Sequence, residues 1–205
     1  MKPDSGVVAV VLAGGQARRM GGGDKGLVAL AGRPMLAHVL ERIRPQAGAV
    51  ALSANGDPAR FAAWHLPVLA DADVSEPPGG PLAGVLAGMR WAAHAHPEAA
   101  LLLSVPTDTP LLPPDLVARL QAARQAEAAA ITCAASRGRL HPVVALWPVA
   151  LADTLAAALA TGVRGVHRFA AAQGLAVAAF PADAADPFEN VNDPAALAAV
   201  EALLR

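Results

Sequence analysis

The chain of 205 residues contains no tyrosine, only 3% aromatic residues and a single cysteine, Cys133. So few aromatic rings leave few platforms for stacking single-stranded nucleic acid, and a net charge of −1 gives no basic field for a nucleic-acid polymer. One cysteine permits no internal disulfide, which is typical of a reducing compartment, so we expect a cytoplasmic protein. Because Cys133 lies in an apolar stretch, we expect it in the core rather than as a nucleophile.

Charged residues make up only 16% of the chain, against 55% hydrophobic residues. The longest stretch without Asp, Glu, Lys or Arg, residues 169–182, is shorter than the roughly 18 residues that a membrane span needs. We therefore expect no membrane partner, and a single folded domain that covers residues 1–205 with a substantial core.

A glycine-rich loop beside three cations occupies residues 12–26, Leu-Ala-Gly-Gly-Gln-Ala-Arg-Arg-Met-Gly-Gly-Gly-Asp-Lys-Gly. It follows an unbroken β-branched run over residues 7–12, which is typical of a parallel strand buried on both faces. Successive glycines let backbone N–H groups approach an anion closely, and Arg18, Arg19 and Lys25 add positive charge. The loop predicts a binding site for a nucleoside triphosphate.

Two common phosphate motifs do not describe this loop. Lys25 is followed by Gly26, so the Ser or Thr that a P-loop offers to magnesium is absent. A dinucleotide pattern, Gly21-x-Gly23-x-x-Gly26, begins well beyond the end of the strand, whereas that motif works at the strand-to-helix turn. We interpret the second match as coincidence.

Strand-like runs alternate with helix-like ones along the chain, which predicts an α/β fold. The predicted strands are 7–12, 49–53, 67–70, 100–105, 128–132, 142–147 and 175–180. The predicted helices are 34–44, 82–95, 114–126, 151–160 and 194–204. Asp193 is the expected N-cap of the last helix.

Two carboxylates follow predicted strands, Asp71 after 67–70 and Asp108 after 100–105. Ligands of open α/β sheets bind at the carboxyl ends of the strands, so we expect both carboxylates at the same edge as the glycine-rich loop. Mg²⁺ is usually held by one or two carboxylates plus substrate phosphates, which makes Asp108 the candidate metal ligand. An ordinary turn or cap role is the alternative for each aspartate, and the spacing leaves it open.

The histidines form no zinc-binding pattern with the cysteine. His94 and His96 are two residues apart and do not share a helix face, which argues against a metal pair. His141 lies close to Arg139 and precedes Pro142, so it is either part of a polar site or an ordinary structural histidine. The sequence leaves its role open.

Together these residues resemble the MobA-type molybdenum cofactor guanylyltransferases, which are glycosyltransferase-A-like nucleotidyltransferases. The matching motifs span nearly the whole chain: Leu12-Ala13-Gly14-Gly15, Arg18-Arg19-Met20-Gly21, Asp24-Lys25, Gly80-Pro81-Leu82-Ala83-Gly84, Pro106-Thr107-Asp108-Thr109-Pro110, His141-Pro142 and Asn190-Val191-Asn192-Asp193-Pro194. The resemblance implies a single-domain, Rossmann-like three-layer α/β/α sandwich of the nucleotide-diphospho-sugar transferase type. Its central sheet is expected to be mostly parallel, with helices on both faces.

The resemblance also implies an activity, the transfer of GMP from GTP to the phosphate of molybdenum-molybdopterin with Mg²⁺ and with release of pyrophosphate. Proteins that supply molybdopterin and molybdoenzyme chaperones are the implied protein partners. One alternative is a cytidylyltransferase acting on the same cofactor, or a nucleotidyltransferase for another small phosphorylated acceptor, because the loop and carboxylates suit any nucleoside triphosphate. A second alternative is a nucleotide- or cofactor-binding adaptor that performs no transfer.

The resemblance assigns roles to individual residues. Arg19, Lys25 and Asp108 are the expected catalytic residues, with Asp108 also the metal ligand. The expected nucleotide- and cofactor-binding residues are Leu12, Ala13, Gly14, Gly15, Lys25, Ser53, Asn55, Asp71, Gly80, Pro81, Leu82, Asn190 and Asn192. The two C-terminal asparagines are expected to face the pterin. Ser53 departs from the family, which often has asparagine there near the base, and Asn55 is a nearby substitute.

Overall fold

The β-branched run near the start of the chain forms a central strand of a seven-stranded sheet. The computed structural model of the chain describes residues 6–14, 23–71, 80–183 and 185–204. Its strands are β1 (Val7–Leu12), β2 (Ala29–Leu30), β3 (Arg33–Pro34), β4 (Val50–Ser53), β5 (Val68–Leu69), β6 (Leu101–Pro106), β7 (Ile131–Ser136), β8 (Arg139–Pro148) and β9 (Leu175–Ala179). Its α-helices are α1 (Met35–Ile43), α2 (Pro81–Ala95), α3 (Leu116–Ala126), α4 (Ala152–Ala160), α5 (Val166–Ala172) and α6 (Pro194–Leu203).

The large sheet has the strand order β5-β4-β1-β6-β8-β7-β9, and β2 pairs with β3 in a separate antiparallel ribbon. All neighbours in the large sheet are parallel except β8, which runs antiparallel to both β6 and β7. The reversal follows from a tight turn at Arg137 and Gly138, both with positive φ, which is the geometry of a primed hairpin turn. The predicted mostly parallel sheet is confirmed.

Helices cover both faces of this sheet, as the three-layer prediction requires. Val7, Ala9 and Val11 point into one core cluster with residues of α1 and α3. Val8 and Val10 point into the other, with residues of α2, α4 and α5. Burial on both faces explains why β1 is continuously apolar rather than alternating. Within the described ranges, no helix is both long and apolar enough to cross a membrane.

Several elements differ from the sequence-based expectations. The strand expected at 128–132 starts at Ile131, because Ala128 has φ of 48° and belongs to the turn that ends α3. The helix α5 was not predicted, since seven residues show too little helical periodicity. The two-residue strands β2 and β3 and the 3₁₀ segment Pro58–Trp64 also escaped prediction, because short elements leave no repeating pattern.

Candidate functional site

A cleft of about 790 Å³ opens at the edge of the sheet where β1, β4, β5 and β6 end. The strand β8 begins at the same edge because it runs antiparallel to its neighbours. The edge is the one at which open α/β sheets bind ligands. The predicted residues that line the cleft are Leu12, Gly14, Lys25, Ser53, Asn55, Asp71, Gly80, Pro81, Asp108 and Asn190.

The remaining predicted site residues lie elsewhere. Gly15 and Arg19 fall outside the described residues. Ala13 is 1% exposed and Leu82 is fully buried, and neither side chain lines the cleft. Leu82 belongs to the hydrophobic core beneath α2, so its side chain packs in the core, and its expected binding role, which would have to use its backbone, stays a prediction. Asn192 does not line the cleft and is connected to it by its hydrogen bond with Lys25.

Three segments that are distant in sequence meet at one ammonium group. Lys25 Nζ donates to Asp108 Oδ2 at 2.5 Å and to the side-chain oxygen of Asn192. The backbone N–H of Val191 donates to the carbonyl of Asp108 at 2.9 Å, which fastens the C-terminal loop to the end of β6. The side chains of Lys25 and Asp108 are only 14% and 19% exposed. We name Lys25, Asp108 and Asn192 the junction.

The junction leaves one acceptor and one donor open. Asp108 Oδ1 is buried and has no hydrogen-bond partner among the residues that the structure describes. An ammonium group has three N–H donors, and two of those on Lys25 are engaged. Among the described residues there is no group of three or more His, Cys, Asp or Glu that could hold a metal. A cation here would therefore take Asp108 together with oxygens of the substrate or of water, which is the usual magnesium arrangement.

A second polar cluster lies at the ends of β4 and β5. Ser53 Oγ donates to one carboxylate oxygen of Asp71 at 3.0 Å, and Asn55 Nδ2 donates to the other at 2.8 Å. The backbone N–H of Asp71 donates back to Asn55 Oδ1 at 2.9 Å. Ser53 is 2% exposed, so this cluster is fixed from beneath by a buried hydroxyl. We name Ser53, Asn55 and Asp71 the β4–β5 cluster.

The start of α2 lies directly against this cluster. A Cβ atom on Gly84 would lie 2.5 Å from Ser53 Oγ and 2.7 Å from Leu12 Cδ2, so only glycine permits the approach. Pro81 occupies the first turn of the helix, where its missing N–H costs nothing. The positive end of the helix dipole lies here and makes the adjoining part of the cleft favourable for an anion.

Arg60 is a cleft residue that the sequence did not reveal. Its Nε lies 2.7 Å from Asp24 Oδ2, and its two Nη groups donate to the carbonyls of Asp57 and Asn55, each at 2.5 Å. Arg60 thus joins the glycine-rich loop to the β4–β5 cluster. In the sequence, Asp57-Pro58 marks the start of a helical turn soon after β4, and Arg60 is a cation within that turn. This was the signal that could have identified Arg60.

The opposite wall of the cleft contains His141, whose role the sequence left open. Ser136 Oγ lies 2.8 Å from His141 Nε2 and donates to Asp186 Oδ1 at 2.7 Å. Asp186 Oδ1 also accepts the backbone N–H of Phe188 at 3.0 Å. The ring of Phe188 packs on the imidazole, with 4.8 Å between ring centroids. Two elements, the β7–β8 hairpin and the loop after β9, thereby hold this histidine in place.

Electrostatics set the charge states on this wall. Burial lowers the pKa of His141 below its ordinary value of 6.5, and the nearby Arg139 lowers it further. Asp186 and Glu189 partly oppose this shift. Burial alone would raise the pKa of Asp186, but its hydrogen bonds, with His141 and Arg137, hold it below its ordinary value. At neutral pH, the imidazole is therefore neutral and the carboxylate is charged.

The expected core position of Cys133 is also found. The thiol is fully buried, and burial raises its pKa to about 11. A thiol with so high a pKa carries almost no thiolate at neutral pH, so Cys133 is a packing residue.

Comparison with known proteins places this geometry in a family. The family model described as the MobA-like NTP transferase domain matches residues 9–177. The chain is 54% identical over 196 residues to the molybdenum cofactor guanylyltransferase of Rhodopseudomonas palustris strain HaA2, covering 95% of this chain and 91% of that protein. It is 52% identical over 196 residues to the protein of the same name from Cereibacter sphaeroides, covering 96% of each.

Solved structures share the fold. Molybdopterin-guanine dinucleotide biosynthesis protein A from Archaeoglobus fulgidus superimposes with a TM-score of 0.71 at 20% identity, covering 97% of this chain and 98% of that one. CMP:2-keto-3-deoxy-manno-octonic acid synthetase, solved with CTP, gives 0.68 at 17% identity and covers 97% of both chains. The family match, extending from β1 into β9, and relatives above 50% identity confirm the resemblance drawn from the motifs. The chain belongs to the MobA-like NTP transferase family.

Proposed function

We propose that this chain is a molybdenum cofactor guanylyltransferase, which transfers GMP from GTP to the phosphate of molybdenum-molybdopterin and releases pyrophosphate. The observation that carries the proposal is the junction, where, within the described part of the chain, Lys25 keeps one N–H and Asp108 one carboxylate oxygen without a partner. A phosphate oxygen of a nucleoside triphosphate can accept the remaining N–H of Lys25, and a divalent cation can bind the unpartnered oxygen of Asp108. The names of the relatives above 50% identity support guanine and molybdopterin as the specific substrates.

The proposed transfer of GMP depends on neutralising negative charge rather than on proton transfer. An acceptor phosphate is already anionic, so its attack on the α-phosphorus of GTP requires no general base on the protein. Asp108, with its unpartnered Oδ1, would hold a divalent cation, and that cation would supply charge neutralisation where the two anions meet. Lys25 donates its remaining N–H to a phosphate oxygen and stabilises the leaving pyrophosphate, and we assign the same task to Arg19.

We infer that the two substrates bind at separate positions along the sheet edge. The β4–β5 cluster lies beside the start of α2, and we assign the nucleoside to this side. The strands β1 and β6 stand between β4 and β8, so the two walls are about 14 Å apart at the usual strand spacing. We assign the wall formed by β8 and the loop at Asn190 to the acceptor, with the phosphates meeting at the junction between them.

Base choice rests on the β4–β5 cluster. Guanine offers N–H donors on its pairing edge, and the Asp71 carboxylate, held by Ser53 and Asn55, is the acceptor available on this side of the cleft. Asn55 supplies the amide that the family often carries at the position of Ser53. This arrangement supports guanine over cytosine.

Acceptor-dependent pyrophosphate release tests the proposal. Purified protein is incubated with Mg²⁺, molybdenum-molybdopterin and either GTP, CTP, ATP or UTP, and pyrophosphate is measured with and without the acceptor. We expect release with GTP only, and only when the acceptor is present. Release with CTP instead would identify a cytidylyltransferase, and no release with any nucleotide would favour an adaptor.

We also propose that the chain acts in the cytoplasm as one domain covering residues 1–205. Contacts with proteins that supply molybdopterin and with molybdoenzyme chaperones remain predictions. Pull-down of such proteins by the purified chain, compared with a variant carrying charge reversals outside the cleft, would locate the contact surface.

A further inference from the structure

An irregularity in the sheet brings His141 to the cleft. Cys133 of β7 pairs with Ala145 of β8, but the next residue, Ala134, pairs with His141. The intervening residues 142–144 therefore bulge out of the ladder with β7. Pro142 has no N–H to donate, so the bulge accommodates it at no cost in hydrogen bonds. Bulges beside active sites commonly redirect a side chain, and this one ends at a cleft-lining histidine.

The hydroxyl of Ser136 fixes which imidazole nitrogen carries the proton. Its single proton is donated to Asp186, which is ionised and can only accept. Toward His141 Nε2, Ser136 Oγ can therefore act only as an acceptor. His141 must carry its proton on Nε2, which leaves Nδ1 with a lone pair. Among the described residues, none forms a hydrogen bond with Nδ1.

The residues around His141 keep its imidazole uncharged at neutral pH. The charged groups facing the imidazole are Asp186 and Glu189 from the loop after β9 and Arg139 from the start of β8. Packing on Phe188 fixes the plane of the ring. A fixed, neutral ring with a free Nδ1 is a hydrogen-bond acceptor of defined direction, in contrast to the cationic donors at the junction.

We infer that His141 is a specificity-determining residue for the acceptor substrate, whose N–H donor binds Nδ1, and that Ser136 and Asp186 are positioning residues that hold the required tautomer. The inference rests on the proposed function for the identity of the acceptor. A pterin ring carries several N–H donors, and it would lie on this wall if its phosphate reached the junction. The chemical class recognised is a heteroaromatic N–H group.

The tautomer is measured by ¹⁵N NMR of histidine-labelled protein at neutral pH. We expect a protonated Nε2 and an unprotonated Nδ1 for His141. Ser136→Ala should give a mixture of tautomers. Asp186→Asn should favour protonated Nδ1, because the amide can donate to Ser136 and release the hydroxyl proton toward Nε2. His94→Gln, a change on an exposed face of α2, should leave the His141 signals unchanged.

Kinetics test the contact with the acceptor. His141→Phe keeps the ring packing and removes both nitrogens, so the KM for molybdenum-molybdopterin should rise about tenfold while the KM for GTP is unchanged. His141→Asn returns an acceptor oxygen near the position of Nδ1 and should recover part of the loss. Asp186→Asn should raise the acceptor KM in the same direction as His141→Phe.

The outcomes separate this inference from the proposed function. Protonated Nδ1 in the wild-type protein, or an unchanged acceptor KM in His141→Phe, would overturn the inference even if GMP is transferred. If the wild-type protein transfers no GMP, the proposed function fails, and titration with 6-hydroxymethylpterin decides the inference alone. A change in the Nδ1 resonance on titration supports it, and no change at saturating probe overturns it.

Discussion

At the residue scale, the junction contains a partly buried ion pair whose proposed role is ligand binding rather than stability. Lys25 and Asp108 satisfy one another on one side and leave one polar site each on the other. Partly buried pairs of this kind contribute little net stability, because desolvation offsets the attraction between the charges. We therefore expect the unpartnered atoms of Lys25 and Asp108 to matter for ligand binding rather than for stability.

Lys25→Met should abolish most of the transfer activity without unfolding the protein. We expect kcat/KM for GTP to fall by about 10²- to 10³-fold, the usual cost of losing one donor that stabilises transition-state charge. Arg33→Met is the matched control, because Arg33 forms an exposed ion pair with Glu41 at 3.0 Å outside the cleft. Activity of Lys25→Met within tenfold of wild type would remove Lys25 from the proposed mechanism.

Asp71→Asn should weaken nucleotide binding. The new amide group places N–H donors against the Ser53 hydroxyl and the Asn55 amide, which donate to the carboxylate in the native cluster. We expect the Kd for GTP, measured by titration calorimetry, to rise about tenfold. An unchanged Kd would show that the nucleoside lies away from the β4–β5 cluster.

Sequence reasoning identified residues whose chemistry is visible in their type and position. Lys25 and Asp108 are a cation in a glycine-rich loop and a carboxylate after a strand, and both line the cleft. Arg60 was missed because its partners are Asp24, far away in sequence, and two backbone carbonyls. The position of His141 depends on a bulge and on a loop beyond β9, neither of which has a local sequence signature.

At the element scale, the approach of α2 to β1 and β4 depends on two glycines. Gly84 lies against Ser53 and Leu12, whereas Gly88 lies against Val10, whose Cβ would be 2.9 Å from an added methyl group. Alanine normally stabilises a helix interior by about 1 kcal/mol relative to glycine. Overpacking costs about 1 to 3 kcal/mol, so the clash outweighs the gain in helix propensity at both positions.

Gly84→Ala and Gly88→Ala should therefore behave differently in two assays. Both variants should have a lower free energy of unfolding in urea denaturation. Gly84→Ala alone should also weaken GTP binding, since the added methyl displaces Ser53 at the β4–β5 cluster. Equal GTP affinity in the two variants would mean that the cluster does not depend on the position of α2.

The arrangement of elements was predictable where long, apolar patterns dominate. Alternating strands and helices indicated the α/β fold, and Asp193 caps α6 by accepting the N–H of Ala196 at 2.9 Å, as expected. The antiparallel direction of β8 was not predicted, because it depends on the two-residue turn at Arg137 and Gly138. Pairing between distant strands depends on tertiary structure, and the residue pattern of a strand does not show whether it will pair parallel or antiparallel.

At the scale of the whole molecule, the cleft wall at His141 makes stability depend on pH. The folded-state pKa of His141 lies below 6.5, so the unfolded chain binds more protons than the folded one as pH falls through this region. The stabilising contribution is thus present above the unfolded pKa and lost as pH falls through the folded one. The lowered pKa of Asp186 has an effect of the same sign: its contribution to stability is present above its ordinary pKa of 3.8 and is lost as pH falls further.

Urea denaturation at several pH values should show this dependence. We expect the free energy of unfolding to decrease between pH 7.5 and 5, and the decrease to be smaller in His141→Phe. His94→Gln should retain the wild-type decrease, because this histidine is exposed. An identical pH profile in wild type and His141→Phe would show that the imidazole is not held neutral by the fold.

Thermal unfolding with GTP, CTP, ATP or UTP, each with and without Mg²⁺, tests whether the cleft binds GTP together with a divalent cation at Asp108. At a ligand concentration of about 100 times Kd, binding stabilises the fold by about 2.7 kcal/mol, or about 5 to 10 °C for a chain of this length. We predict a shift with GTP that requires Mg²⁺ and that is lost in Asp108→Asn, because the variant lacks the carboxylate that would hold the cation. A shift with CTP alone, or none with any nucleotide, would contradict binding of GTP at this cleft.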